Sequence, residues 1–426
     1  MKKYKYIFTY SNGFGKVKKF LISLISIQLF LLFLFQGLLI STEILPSNNK
    51  IGVEASVPEY WPTNGWQTSQ PEVQGMSSTK LQELYSYIRN QNLPLDSVIV
   101  VRNGYIVYED YPNSPTYREN SLHILHSVTK SFTSALTGIA IQEGYIESAL
   151  DTVLSYFPNR TIANLDVWKQ NMTVEHLLNM MAGMEWDEWT YPYTDPRNDL
   201  IQMIYSGDCV QFMLDRNMAA APGTVWLYNT GASHLLAGII RQTTGQTPLQ
   251  YGHEVLFAPL GITNVVWNSD SQGLNFGGSE LFLRPHDMAK FGFLYLHNGS
   301  WDGQQIVPEV WVTQSRESIV SPWSGTGYGY QWWKNLILGT FEARGLHNQW
   351  IIVEPENDLV IVFTASDYDG QIPINYLVYE YILSAIGEFP LGDDVFPWEM
   401  TLTLSLVIGI PAAVTVVFLI RKRKKY

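Results

Sequence analysis

The sequence predicts an α+β fold: an antiparallel sheet flanked by helices, with a helical subdomain and a transmembrane helix near each end. Three observations carry this. Strand signals fall at 96–111 and 328–366, whereas 150–270 reads as helices and loops. Apolar residues make up 46% of the 426, enough for a substantial core. Two uncharged apolar runs, 20–40 and 400–420, stand beside basic tails.

Residues 1–19 hold six lysines and form a basic tail. The run 20–40, FLISLISIQLFLLFLFQGLLI, matches the ~20 apolar residues that span a bilayer. A cleaved signal peptide is the rival, but its apolar core is usually ~7–15 residues with a small-residue cleavage site. This run is longer and no A-x-A follows, which favours an uncleaved anchor. Residues 41–75 read as a stalk rich in Pro, Ser and Asn. The run 400–420 is a second spanning segment, where Pro411 is tolerable, and 421–426 is a second basic tail. Basic flanks stay inside. The expected location is therefore the cell membrane, embedded at both ends with the body extracytoplasmic.

Between these ends lies a domain expected at 76–390. Its α/β part covers about 76–150 and 276–387, and its helical subdomain about 151–275. A first helix is expected at 78–90. DSVIVVRNGYIVYEDY follows, two β-rich runs around Arg102-Asn103-Gly104, which is a hairpin signal. The clearest helical pieces are MTVEHLLNMM, DLIQMIYSGDCVQFMLD, ASHLLAGIIRQTTG and RPHDMAKFGFLYLHNG. YGYQWWK, QWIIVEP and DLVIVFTAS read as strands, and a final helix covers about 373–387.

Composition narrows the function. All 39 acidic residues lie between 41 and 400, so the body is strongly acidic, which argues against a nucleic-acid partner. Cys209 is the only cysteine, which rules out an intrachain disulfide and a Cys metal cluster. No HExxH, P-loop or dinucleotide fingerprint appears, and no metal or cofactor is implied.

The chemistry centres on Ser127-Val128-Thr129-Lys130. Val128, Phe132, Ala135, Leu136, Ile139 and Ala140 recur at helical spacing, and Gly144 ends the run. Residues three apart on a helix are neighbours, so the Lys130 amine falls beside the Ser127 hydroxyl. A hydroxyl needs a base before it attacks, and a desolvated lysine can be that base. The helix start also offers unpaired N–H groups to an oxyanion. S-x-x-K occurs twice more. Ser47 to Lys50 lies in a polar run, and Ser77 to Lys80 reads as a cap before an amphipathic helix. Only Ser127 opens a buried-type helix, although it too reads as a cap.

At HSVTKSFTSALTGIAIQEG the chain resembles serine β-lactamase-like, penicillin-binding-protein-like hydrolases, on the class C and 6-aminohexanoate-dimer-hydrolase side. The resemblance covers most of 60–387, including PGTVWLYNTGASHLLAGII, FAPLGI and GLHNQWIIVEPENDLVIVFTAS. It implies a β-lactamase/transpeptidase-like fold with Ser127 as nucleophile. The family's Y-x-N motif follows a P-G pair, and Pro222-Gly223 places Tyr228 there. The resemblance assigns Tyr228 to proton transfer with Lys130, a role expected to need a phenol pKa pulled down by a nearby cation. Thr230 stands where the family often has Asn.

The family's K-T-G or H-x-G motif corresponds to Ala343-Arg344-Gly345. The following Leu346 N–H is then the second oxyanion donor beside that of Ser127. Ala343 departs from the pattern, because the Lys or His that greets a substrate carboxylate is missing. The loop MEWDEWTYPYTD lines the cleft in this family, so Trp186 and Tyr191 are candidate substrate contacts, with Gly345 and His347. Trp186 also reads as a cap on the helical subdomain. The expectation is an extracytoplasmic serine hydrolase cleaving small-molecule ester, amide or peptide substrates through an acyl-enzyme. The rivals are a β-lactamase or D-Ala-D-Ala peptidase, and a non-catalytic surface receptor.

Overall fold

The computed structural model describes residues 58–387, apart from position 318. Eight strands form one antiparallel sheet. In chain order they are β1 (Leu95–Arg102), β2 (Tyr105–Asp110), β3 (Val320–Trp323), β4 (Thr326–Gly329), β5 (Trp332–Asn335), β6 (Thr340–Gly345), β7 (Gln349–Glu354) and β8 (Leu359–Ala365). Their spatial order is β2-β1-β8-β7-β6-β5-β4-β3. The early hairpin thus joins the late strands through β1 on β8, with Val98 opposite Phe363 and Val101 opposite Val360.

Strand side chains alternate between faces, so each strand feeds two cores. Ile99, Val101, Ile351, Val353, Val360 and Val362 face one core. Val98, Val100, Ile352, Leu359, Ile361 and Phe363 face the other. Among the described residues, four helices have twelve or more residues: α1 (Ser78–Asn90), α2 (Thr129–Gln142), α3 (Thr230–Thr244) and α4 (Pro285–Leu296). Leu81, Leu84 and Ile88 of α1 cover the second face with the helical segment 374–385. Helices α2 and α4 cover the first face and continue its core into α3 and the residues around it.

Sheet strands therefore bracket a helical region, and the site lies where the two parts meet. The long helix expected over 199–215 is two short ones, Asp199–Tyr205 and Cys209–Leu214, because the Asp208 carboxylate caps the second by accepting from the Gln211 N–H. YGYQWWK is likewise not one strand. It folds into β4 and β5 around Tyr330 and Gln331, both with positive φ. That turn is held from the helical side: Asn179 Oδ1 accepts from the Tyr330 N–H, and Gln331 Nε2 donates to the Leu177 carbonyl.

One expectation is corrected. The fold class was expected to include terminal transmembrane helices. Among the described residues, no helix is long and apolar enough to cross a membrane. The longest of them, α3, has 15 residues and reaches about 22 Å at ~1.5 Å per residue, short of the ~30 Å hydrocarbon core. The described fold is the α+β architecture alone. The runs 20–40 and 400–420, the stalk to residue 57 and both basic tails lie outside the described residues.

Candidate active site

Ser127 lies between two elements. The short strand His123–Ile124 pairs with Leu281–Leu283, and the chain then makes a tight 3-10 turn, His126–Val128, before α2 begins at Thr129. The serine thus precedes the α-helix by a turn instead of opening it. His126 adopts φ 46°, an uncommon conformation for a residue with a Cβ. Lys130 lies in the first turn of α2 and is 1% exposed.

The Lys130 Nζ donates to Ser127 Oγ at 3.0 Å, Thr230 Oγ1 at 3.0 Å and the Gly278 carbonyl at 2.9 Å. Three donors meet three acceptors, so the ammonium form is fully satisfied. Burial nevertheless brings its pKa down to about 8, against a smaller upward pull from Glu188. A neutral amine keeps two N–H donors and gains a lone pair. With Thr230 and Gly278 held by the donors, the lone pair faces the Ser127 hydroxyl. The close approach at Gly278 requires glycine, since a Cβ there would lie 2.7 Å from Thr230 Cγ2 and 3.2 Å from Lys130 Nζ.

Tyr228 is 5% exposed, and its hydroxyl lies near the Ser127 side chain. It lies just before α3, whose first turn is capped by Asn229 Oδ1 accepting from the Ala232 N–H. Lys130 Nζ lies 4.8 Å above its ring centroid. The expected lowering of the phenol pKa is not found: burial, then Glu188, push it well above its ordinary value, and the Ser127 side chain opposes them only in part. Tyr228 therefore keeps its proton at neutral pH.

Glu188 is the residue that sequence reasoning missed. It is 2% exposed. Its Oε2 accepts from the Trp186 indole N–H at 2.7 Å and the Thr230 N–H at 2.9 Å, and its Oε1 accepts from the Thr230 hydroxyl at 3.0 Å. Thr230 thus donates to Glu188 and accepts from Lys130, bridging two buried ionisable groups. Burial pushes the Glu188 carboxyl up, although Lys130 pulls it down. Its presence among four acids in one loop was visible, but nothing local marked which one turns inward.

The opposite wall is β6. A Cβ on Gly345 would lie 2.3 Å from the Leu125 carbonyl oxygen, so only glycine lets the strand approach the turn that carries Ser127 this closely. Leu346 follows, half-exposed, at the start of a turn. Ala343 is 1% exposed in the core beneath α2, and no cation stands in its place. Arg344 donates from Nε to Glu342 at 2.6 Å and packs over Trp350 at 4.7 Å, so its fork is occupied.

The chain matches the family described as Beta-lactamase over residues 81–371. It belongs to that family of serine hydrolases. The 6-aminohexanoate-dimer hydrolase of Paenarthrobacter ureafaciens is 24% identical over 294 residues, 64% of this chain and 72% of that protein. A Bacillus anthracis structure provisionally named 6-aminohexanoate-dimer hydrolase superposes with TM-score 0.63 at 25% identity, covering 75% of this chain and 87% of its own. A family VIII carboxylesterase shares the fold, with TM-score 0.56 at 14% identity over 71% of this chain and 96% of its own.

The remaining predicted contacts of this beta-lactamase-family enzyme fall in varied places. Trp186 is 5% exposed in the main core with its indole bonded to Glu188, so it supports the site from beneath instead of lining a cleft. Tyr191 is half-buried under the Arg197 guanidinium at 4.1 Å. His347 has φ 58°, its Nδ1 donates to the Asp367 carbonyl at 3.1 Å, and its ring lies 5.4 Å from that of His126. Burial, then His347 and Lys130, bring His126 down to about 4, so it is neutral. Ser77 caps α1, accepting from the Lys80 N–H. The aromatic neighbour of Tyr228 in the acidic loop is Trp189, with ring centroids 5.5 Å apart.

Among the described residues, one group of potential metal ligands lies close together: Cys209, His234 and Asp270, each offering an atom within 4.8 Å of the others. These groups are already engaged. His234 Nδ1 accepts from the Gly277 N–H at 3.4 Å, so Nε2 donates to Asp270 at 3.2 Å. Burial, then Asp270, push the Cys209 thiol up to about 12, so without a metal it is a neutral thiol. The triad braces Gly277, one residue before the carbonyl that holds Lys130.

Proposed function

We propose that the protein hydrolyses neutral ester or amide bonds through an acyl-enzyme on Ser127. The observation that carries this is the buried Lys130 amine, with a pKa of about 8 and a 3.0 Å contact to Ser127 Oγ. In this reading the neutral amine takes the Ser127 proton as Oγ bonds to the carbonyl carbon. The carbonyl π electrons move to oxygen, which the Ser127 and Leu346 amides receive. Collapse of the adduct breaks the bond to the leaving group. Tyr228 gives that group its proton and is reprotonated from Lys130. Water then repeats the sequence on the acyl-enzyme and frees Ser127.

The high phenol pKa supports this division of labour, since Tyr228 is the acid and Lys130 the base. Neutral substrates are favoured because Ala343 and the occupied Arg344 offer no cation to a substrate carboxylate. The test is covalent labelling with a fluorophosphonate. Ser127→Ala is expected to abolish labelling and turnover, while Ser77→Ala retains both. Labelling that survives in Ser127→Ala ends this reading, and with it the choice of nucleophile.

A further inference from the structure

The Tyr228 ring is one end of a run of near-parallel aromatic rings that leads outward. Tyr228 lies 6.0 Å from Trp333 at 24° between planes, and Trp333 lies 5.4 Å from Trp323 at 15°. Trp226 stands edge-on behind the stack, 5.4 Å from Trp323 at 72° and 6.0 Å from Trp333 at 66°. Exposure rises along the run. Tyr228 is 5% exposed, whereas Trp323, on the edge strand β3, is 50% exposed. Trp189 flanks the inner end and is 49% exposed. Half-exposed tryptophans at both ends leave apolar faces in water, which is costly unless something covers them.

We propose that this wall is the leaving-group subsite, and that it takes a planar, uncharged aromatic alcohol or amine. The inference rests on the reading above, in which Tyr228 protonates the leaving group. That group must then lie against the Tyr228 hydroxyl, and the stacked rings continue from there. Offset stacking suits a flat aromatic group, and such pairs add to area burial. The Arg344 guanidinium lies 5.4 Å over Trp333 but is bonded to Glu342, so it brings no free charge to the wall.

The test uses the full chain and two acetates with leaving groups of similar acidity, phenyl and 2-naphthyl. The second ring adds flat aromatic surface toward the stacked rings of the wall. The native protein is expected to favour 2-naphthyl acetate by about two- to tenfold in kcat/KM, mostly through KM. Trp323→Ala is expected to erase the preference and Trp323→Phe to keep part of it, with folding checked by thermal melting. Trp168→Ala, at an exposed tryptophan on the short helix Val167–Gln170, serves as a control and keeps the preference. An unchanged ratio in Trp323→Ala overturns the subsite while leaving the Ser127 chemistry intact. Absence of Ser127-dependent labelling in the native protein overturns the parent reading and the subsite with it.

Discussion

At the scale of single residues, the site is a contest between burial and pairing. Lys130 and Glu188 are both buried, and burial pushes each toward its neutral form. Thr230 lets them share a hydrogen-bonded path without touching. On the proposed mechanism Lys130 acts as the base only when neutral, so its pKa of about 8 is expected to set the pH profile. Below that pH the protonated form dominates and kcat/KM is expected to fall about tenfold per pH unit. Above it the rate levels off. Glu188 pulls the Lys130 pKa up, so Glu188→Gln removes that pull and is expected to move the inflection to lower pH. Stability also drops by roughly 1–3 kcal/mol as the Glu188 hydrogen bonds are disturbed. Profiles of both proteins on one neutral ester check the sign. An inflection that stays put, or moves to higher pH, refutes the electrostatic role given to Glu188.

Elements act by approach, and β6 shows how. Gly345 lets this strand press its backbone against the turn that carries Ser127. Gly345→Ala adds a carbon where the Leu125 carbonyl already stands, so strand and turn must part. Overpacking of this kind costs about 1–3 kcal/mol. A displacement near 1 Å at reacting groups can cost ~100-fold. We therefore expect fluorophosphonate labelling to slow roughly 10- to 100-fold, with a lowered Tm. A lowered Tm with labelling at the native rate means that β6 does not contribute to the site. Elements of this kind were legible where their pattern is local. The Arg102-Asn103-Gly104 hairpin, the α1 cap at Ser77 and the apolar strands β7 and β8 follow from spacing and turn chemistry. The edge strand β3 and the first half of β4 escaped notice because Pro322, Gly325 and Gly327 dilute their β signal. The turn at Tyr330 and Gln331 was invisible for a different reason. Its left-handed residues are held by Asn179 and Leu177, about 150 positions earlier, and no window of sequence contains both partners. Glu188 with Thr230, 42 residues apart, is the same lesson inside the site. The Ser127–Lys130 contact was readable because three residues separate the pair.

For the whole molecule, the question is which carbonyl compounds the body admits. The chain carries a net charge of −12, which disfavours anionic substrates at long range, although salt screens this beyond about 10 Å. The short-range argument is stronger. A penicillin or cephalosporin carries a carboxylate beside the scissile amide, and a charged hydrogen bond to it contributes ~1.5–3 kcal/mol. Ala343 cannot make that bond, and Arg344 is already spent on Glu342. Acting in the transition state, the missing contact corresponds to roughly 10- to 150-fold in rate. A neutral ester needs no such contact and suffers no such loss. The expected outcome is a kcat/KM for a p-nitrophenyl ester well above that for a chromogenic cephalosporin on the same preparation. The gap should narrow little with added salt, because a missing hydrogen bond, unlike long-range repulsion, is not screened. Equal or better cephalosporin turnover contradicts the neutral-substrate reading and favours a β-lactamase. A gap that closes at high salt assigns the discrimination to the acidic surface instead of to Ala343.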